Sequence, residues 1–418
     1  MSQSEGAVAP PKHRSFAALS HKGFPLFWLG SATAMMADNT EHVISYWVAF
    51  QKFNSPALGG FAVISHWLPF LLFSIKIGAI ADRFDPRRFI TIGMWLFIAC
   101  SLSWGVLIAT NSLQMWEAMA LLVVHGIAGV LWTPSSMLLL NDLVPRADLQ
   151  SAVRLSATGR TLGILLGPAV GSGLMLLLGP AHGIMVNALF YLPLLLWAFP
   201  FKRPFQTKPR FEAAPQRGFA EVAGTLRAIR QHPLILYMTL LIAASAAFIG
   251  SGYQAQMPAF ANALGHGDPG LTYSMLLAAD AAGALAAGIA LESLGLLRPR
   301  SGTAFVLGML WCMALMGFAL THVYVVALGF LFLAGFVELA FNSMSQTLVQ
   351  LNSPHELRGR IIGVYALASL GMRLFSGFTI GIVGGLIGIR WSLAGSAALL
   401  LVLFTSLLST SRRPPRAA

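Results

Sequence analysis

Twelve long apolar runs restrict the fold of this chain more than any other feature. A helix needs about 20 apolar residues to cross the hydrocarbon core of a bilayer. The runs fall at about 24–50, 57–80, 89–110, 116–140, 156–178, 182–201, 234–259, 270–291, 301–320, 323–346, 361–386 and 390–410. Only 10% of the residues are charged, against roughly 25% in soluble domains. The sequence therefore predicts an all-α polytopic membrane protein with twelve transmembrane helices.

The basic residues indicate how the runs cross the membrane. With the N-terminus placed inside, 22 of the 27 Lys and Arg lie in connections on the inner side, and only Lys52 and Arg390 lie outside. Such a bias marks the cytoplasmic side, so we expect both termini in the cytoplasm. The net charge of +12 is explained by this topology, and we expect no nucleic-acid partner.

A polar linker divides the chain into two halves of six runs. We expect a cytoplasmic tail, an N-terminal six-helix bundle, a cytoplasmic linker with an amphipathic helix, a C-terminal six-helix bundle and a second cytoplasmic tail, at 1–23, 24–201, 202–233, 234–410 and 411–418.

The two halves resemble each other in sequence. The segment 78–82 (GAIAD) recurs at 288–292 (GIALE), 210 positions later, and Pro145 with its following residues recurs at Pro354, 209 positions later. Six is an even number, so the second copy enters the membrane in the same orientation. The halves are therefore expected to form a parallel repeat about an axis along the membrane normal.

The first run contains a polar face. Asp38, Glu41, His42 and Ser45 follow one another at i, i+3, i+4 and i+7, which places them on one side of a helix. A lone charge near the middle of a membrane-spanning helix costs about 2.5–3.5 kcal/mol on insertion scales. This face must therefore point at a cavity or a partner. We interpret Asp38 as a proton site, Glu41 as a coupled second site, and His42 as a residue nearer the outer rim. A structural polar network is the alternative.

Further charges interrupt the later runs. Asp280 in the eighth run and Glu338 in the tenth are candidate coupling acids, and Arg160 and Arg373 are candidate counter-ions. A guanidinium keeps its proton, so the arginines can hold a carboxylate but cannot carry protons. We expect Arg160 to pair with an acid of the first run, and Arg373 to pair with Glu338.

Several other residues of the runs are interpreted as structural. His66 and His125 are interpreted as satisfied core histidines. The buried cysteines, Cys100 and Cys312, imply neither a disulfide nor a metal site, and we expect no cofactor and no metal ion.

Two motifs resemble those of the major facilitator superfamily. Residues 78–88 (GAIADRFDPRR) are similar to its signature loop between the second and third helices, with Asp85 at the second glycine of that pattern. Residues 163–172 (GILLGPAVGS) resemble the fifth-helix motif of its exporters. The residues around Pro145 and Arg358 resemble the bacterial drug-efflux and siderophore-export branch of proton antiporters.

The resemblance implies roles for the residues of both motifs. The loop residues would latch a cytoplasmic gate, and they are Gly78, Asp82, Arg83, Arg87 and Arg88. The fifth-helix residues would bias the protein toward export, with plain helix packing as the alternative, and they are Gly163, Gly167, Pro168 and Gly171. The resemblance also implies the cytoplasmic membrane of a bacterium.

These observations favour a secondary active transporter that exports amphiphilic, drug-like molecules in exchange for protons by alternating access. The expected partners are a small-molecule substrate, protons and the bilayer, and we expect a monomer. Lipid or lysolipid flipping and nutrient or siderophore transport are alternatives. A non-transporting receptor has no need for the repeat and the buried charges. No catalytic constellation indicates an enzyme.

Overall fold

The computed structural model describes residues 16–81, 84–199, 218–265, 267–294, 300–354 and 357–411. Within these ranges the regular elements are helices, which confirms the all-α class. The α-helices are α1 (Phe24–Phe53), α2 (Pro56–Ala81), α3 (Pro86–Ala109), α4 (Met115–Leu143), α5 (Leu149–Asn187), α6 (Leu192–Ala198), α7 (Gly218–Arg230), α8 (Pro233–Phe248), α9 (Gly252–Ala255), α10 (Met257–Leu264), α11 (Pro269–Leu294), α12 (Ser301–Leu320), α13 (Tyr324–Asn352), α14 (Arg358–Gly371), α15 (Arg373–Ser376), α16 (Val383–Ile387) and α17 (Ile389–Ser411).

The described helices accommodate the twelve predicted crossings. Ten stretches are long and apolar enough to span a membrane. One of them, Ser151–Ala198, is 48 residues long and holds two crossings, because Gly179 breaks the helical path before Pro180 with φ 74° and ψ 163°. Glycine adopts this left-handed conformation without steric cost. The polar-faced α1 has 30 residues, which is enough for the remaining crossing.

Helix lengths repeat between the two halves. α4 and α13 each have 29 residues, and α13 follows α4 by 209 positions at both ends, from 115 to 324 and from 143 to 352. α2 and α11 each have 26 residues, offset by 213 from 56 to 269 and from 81 to 294. These offsets agree with the repeat in the sequence motifs.

Each half packs around its own central helices. α1 lies along α5, and α4 lies against α2 and α3. In the other half, α13 lies against α11 and α12. Large apolar side chains cover the outside of the bundle, as at Leu177 (85% exposed) and Leu386 (82% exposed). An apolar outer surface of this extent indicates contact with lipid.

The halves meet near the end of the bundle opposite the first residue of α1. Three hydrogen bonds cross between them there: Gln51 to Asn262 at 3.2 Å, Gln256 to the carbonyl of Pro56 at 2.8 Å, and Tyr273 to the carbonyl of Val43 at 3.0 Å. The ring of Tyr273 also stacks on Trp47, with centroids 5.2 Å apart.

A contact between glycines lies at the same end. Gly60 of α2 touches the π-helical segment Gly377–Ile382, and a Cβ added to Gly60 would lie 2.5 Å from the carbonyl oxygen of Gly377 and 2.8 Å from the Cα of Gly381. The two helices therefore approach backbone to backbone at this point.

The predicted linker contains a helix, α7. Ile229 on this helix is fully buried, and Arg227 and Arg230 lie in its last turn. The rest of the predicted linker up to residue 217 lies outside the described residues, as do residues 1–15 and 412–418 of the predicted tails.

Candidate functional site

The polar face of α1 meets a histidine of α4. His125 Nε2 lies 2.8 Å from Asp38 Oδ1, and its Nδ1 lies 2.9 Å from Glu41 Oε1. Ser101 of α3 donates a short hydrogen bond to Glu41 Oε2. These four side chains are almost fully buried, with Asp38 at 8% and Glu41 at 1% exposure. Three helices thus hold both predicted acids around one imidazole.

The hydrogen bonds of His125 require one additional proton in this group. A neutral imidazole has one N–H donor, whereas an imidazolium has two. Both ring nitrogens face carboxylate oxygens, so both bonds form only if His125 is doubly protonated or one acid carries a proton. The group Asp38–His125–Glu41 therefore holds one proton more than a neutral ring with two carboxylates.

Two further histidines join this group. The ring of His42 lies 4.8 Å from the rings of both His66 and His125, measured between centroids. His42 thus belongs to the buried cluster, and its expected position nearer the outer rim is wrong. His66 Nδ1 is buried and has no hydrogen-bond partner, which costs about 1–3 kcal/mol for a polar group. His66 is not a satisfied core histidine, and His125 is satisfied by the two acids.

The C-terminal half contains a second group of two acids. The Tyr253 hydroxyl lies 3.1 Å from Asp280 Oδ2 and 3.1 Å from Glu338 Oε2. Gln254 Nε2 donates to Asp280 Oδ2 at 3.4 Å. The structure therefore brings together the two C-terminal acids that the sequence singled out, although they lie 58 positions apart, at 280 and 338.

The two predicted arginine pairs are not formed. Among the described residues, the ion pairs of Asp38 and Glu41 are with His125, not with Arg160. Arg373 donates to Ser251 Oγ at 3.1 Å instead of binding Glu338.

Arg373 also contacts the N-terminal half. Its guanidinium lies 5.6 Å from the centroid of the Trp67 ring, within the range of a cation–π interaction. Trp67 in turn lies 4.8 Å from His66, measured between ring centroids. A continuous row of contacts therefore leads from the histidine cluster to Ser251, two residues before Tyr253.

The glycines of the fifth-helix motif lie directly against α1. A Cβ at Gly163 would lie 2.7 Å from the Cβ of Met35, and one at Gly171 would lie 3.0 Å from that of Val43. Gly167 is packed equally closely, and its carbonyl accepts a hydrogen bond from Thr40 Oγ1 at 3.1 Å. The motif therefore sets the position of the helix that carries Asp38 and Glu41.

Pro168 of the same motif lies inside α5. The non-helical backbone angles in α5 are those of Gly179, so the sharp break of this helix lies after the motif, at a glycine, and not at Pro168.

The predicted gate loop is described only in part. Asp82 and Arg83 lie outside the described residues. Gly78 lies in the last turn of α2. Arg87 and Arg88 lie in the first turn of α3.

The fold and these buried charged groups define the class of protein. Residues 13–416 match the family described as transmembrane secretion effectors. The chain belongs to this family of the major facilitator superfamily and has a multi-pass membrane fold. Family and fold are those of transporters, not of enzymes.

Relatives and solved structures agree with this class. An uncharacterized MFS-type transporter of Bacillus subtilis, YfiS, is 26% identical over 212 residues, which are 50% of this chain and 49% of that one. Macrolide efflux protein A of Streptococcus pyogenes is 25% identical over 150 residues, 36% of this chain and 37% of that one. The matched regions thus span about half or less of these relatives.

Solved transporters share the fold over nearly the whole chain. A bacterial homolog of the human lysosomal transporter Spinster has a TM-score of 0.66 at 17% identity, covering 94% of this chain and 98% of that one. The nucleoside transporter NupG has a TM-score of 0.65 at 13% identity, covering 92% and 100%.

Proposed function

We propose that this protein is a proton-coupled exporter of amphiphilic small molecules in the cytoplasmic membrane of a bacterium, with both termini in the cytoplasm. Three findings support export: the family of secretion effectors, the partial similarity to a macrolide efflux protein, and the fifth-helix glycines packed on α1.

The observation that carries proton coupling is the position of Tyr253 between Asp280 and Glu338. A tyrosine hydroxyl donates one hydrogen bond, so only one of the two carboxylates can accept it. The other acid completes the arrangement by donating its own proton to the tyrosine oxygen. The group is therefore suited to hold one exchangeable proton in the membrane interior.

The N-terminal acids are proposed to respond to substrate. Asp38 and Glu41 lie on α1, and α11, which carries Asp280, contacts α1 through Tyr273. The row of contacts from His66 through Trp67 to Arg373 links their cluster to the proton-holding group. Binding of a substrate beside α1 would then change the proton occupancy of Asp280 and Glu338 through these contacts.

The repeat and the contact between the halves support alternating access. The hydrogen bonds of Tyr273, Gln51 and Gln256 close the end opposite the start of α1. In the proposed cycle these bonds break when the two halves separate at that end.

The test uses protein reconstituted in vesicles, with a macrolide and a fluorescent lipophilic cation as probes. Asp280→Asn and Glu338→Gln remove the exchangeable proton but keep the shape of the group. We expect both to retain exchange of probe for probe and to lose accumulation driven by a pH gradient. Glu117→Gln, at the exposed start of α4, is the matched control and keeps both activities.

The N-terminal acids are tested in the same assay. Asp38→Asn is expected to weaken probe-for-probe exchange as well as accumulation, because it acts on substrate. Unchanged pH-gradient-driven transport in all three acid variants would contradict proton coupling through these groups. Absence of any probe flux in the unmodified protein would contradict export of this substrate class.

A further inference from the structure

We propose that Asp38, His42, His66 and His125 form a binding site for a divalent transition-metal ion of the Zn²⁺ class. One potential ligand atom from each residue lies within 4.8 Å of the others. The four ligands come from α1, α2 and α4, so packing of the N-terminal half holds them together. The inference does not depend on the direction of transport or on the organic substrate.

The spacing of the ligand atoms suits a tetrahedral ion. Zinc lies about 2.0–2.1 Å from histidine nitrogens, so the ligands of a tetrahedral site are roughly 3.3 Å apart. Asp38 Oδ1 and His125 Nε2 are already 2.8 Å apart. The widest separation is 4.8 Å, so these ligand atoms must approach by about 1.5 Å to reach the tetrahedral spacing.

Glu41 occupies the position of a supporting carboxylate. In protein zinc sites, a ligating histidine donates its other N–H to a carboxylate, which fixes the ring and its tautomer. Here His125 directs Nε2 at Asp38 and Nδ1 at Glu41 Oε1, at 2.9 Å. Ser101 holds the other oxygen of Glu41. With its Nδ1–H donated in a hydrogen bond to Glu41, His125 presents a lone pair on Nε2 once the additional proton of this group is released on metal binding.

His66 gives independent support. Its Nδ1 is buried without a hydrogen-bond partner, although the ring lies 4.8 Å from His42 and 5.7 Å from His125, measured between centroids. An imidazole lone pair that no protein donor satisfies is available to a metal ion. A purely structural polar network would be expected to satisfy this nitrogen.

The donor set selects the class of ion. Three imidazoles and one carboxylate suit zinc, cobalt and nickel, whereas magnesium and calcium prefer oxygen ligands. The cysteines Cys100 and Cys312 are not part of the cluster, so thiolate coordination is not expected. His42 and His66 are only partly buried, unlike Asp38 and His125.

The test is direct metal binding to the full chain, purified without a histidine tag and freed of metal with a chelator. Co²⁺ serves as the probe, because tetrahedral cobalt absorbs strongly in the visible range. We expect one Co²⁺ per chain, a tetrahedral spectrum without a sulfur-to-metal band, displacement by Zn²⁺ and no displacement by Mg²⁺. His322→Ala, which removes an exposed histidine, should leave this result unchanged.

Variants locate the site. His66→Ala and His125→Ala should abolish the tetrahedral spectrum. His66→Asn keeps a polar side chain at this position and serves as the second variant if His66→Ala does not fold. Glu41→Gln should weaken Co²⁺ binding about 10–100-fold while keeping the tetrahedral spectrum, a result that loss of structure would not give. Zn²⁺ should also raise the Tm of the unmodified protein and of His322→Ala, but not of His66→Asn.

Three results would overturn the inference. They are absence of stoichiometric Co²⁺ binding by the unmodified protein, a spectrum unaffected by the His66 and His125 variants, and equal competition by Mg²⁺.

Discussion

At the scale of single residues, Asp85 illustrates how a departure from a family pattern gains a physical explanation. It stands where the resembled loop has glycine, and it caps α3, with its Oδ1 3.0 Å from the backbone nitrogen of Arg87 and Pro86 in the first turn. The Arg87 guanidinium binds the same carboxylate at 2.7 Å. Aspartate followed by proline is a favoured start of a helix.

Replacement of Asp85 tests this cap. Partial burial opposes ionisation, but hydrogen bonds from the side chain and backbone of Arg87 outweigh it and lower the pKa of Asp85 below its ordinary value of 3.8. A lowered pKa stabilises the fold above the unfolded-state value, and the contribution disappears as pH falls through the folded-state value. Asp85→Ala should cost about 1 kcal/mol at neutral pH and less near pH 3, measured by thermal unfolding in detergent.

Asp85→Asn is the matched control for the cap. Asparagine also caps helices, so it should retain most of the stability while losing the charge pair with Arg87. Equal destabilisation by alanine and asparagine would contradict a capping role.

The sequence predicted the acids but not their partners. The i, i+3, i+4 spacing placed Asp38 and Glu41 on one face because helical geometry is local. His125 lies 84 positions after Glu41 and carries no local signal that connects them. The formal charge of arginine made Arg160 the expected partner, whereas the packing of α4 against α1 brings a histidine there. Likewise, nothing local to Tyr253 indicated that it would lie between Asp280 and Glu338.

At the scale of helices, the contact between α1 and α5 depends on the glycines of the fifth-helix motif. Helix positions could be predicted from the apolar runs, because spanning a membrane requires length and hydrophobicity. The break of α5 at Gly179 was also indicated by a gap between the fifth and sixth runs. The depth of contact between α1 and α5 depends on tertiary packing, and the sequence showed only that small residues were available.

Two glycine-to-alanine substitutions in α5 separate packing from helix propensity. Gly167→Ala places a methyl group against Asn39 and 3.0 Å from the carbonyl oxygen of Met36. Overpacking of this kind costs about 1–3 kcal/mol and displaces α1. We expect a lower Tm and a loss of transport in vesicles.

Gly173→Ala is the control in the same helix. A Cβ there has no neighbour within 4 Å, and alanine favours the helix by up to about 1 kcal/mol over glycine. Stability should therefore be equal or higher, with transport retained. Similar losses at both positions would show that helix propensity, not contact with α1, explains the Gly167 effect.

At the scale of the whole molecule, the repeat places different chemistry on corresponding helices. His66 lies on α2 and His125 on α4, whereas the matching helices α11 and α13 carry Asp280 and Glu338. The N-terminal half thus offers imidazoles where the C-terminal half offers carboxylic acids. The sequence repeat predicted equal architecture, and it did not predict this difference in side chains.

Closure between the halves can be weakened without removing an aromatic ring. Tyr273→Phe removes the 3.0 Å bond to the carbonyl of Val43 but keeps the ring beside Trp47. One hydrogen bond contributes about 1 kcal/mol. The equilibrium between the open and closed states of this end should therefore shift about five-fold toward the open state. Distances between spin labels on the two halves measure this shift, with Cys100 and Cys312 replaced.

Tyr237→Phe, in the first part of the same half, is the control and should not alter the distances. A Tyr273→Phe variant with the same distance distribution as the unmodified protein would contradict a closing role for this bond.

The contact of Gly60 with Gly377 and Gly381 affects how tightly the closed end excludes water and ions, and not how often this end opens. Close packing of one main chain on another excludes water, but it provides few apolar side-chain contacts to stabilise the association of the two helices. The stack of Tyr273 on Trp47 and the hydrogen bond from Tyr273 to Val43 supply these contacts. We therefore expect the permeability of the closed end and the time spent closed to depend on different residues. A larger side chain at Gly60 would make the barrier leak to small ions, whereas changes at Tyr273 would alter only how often it opens.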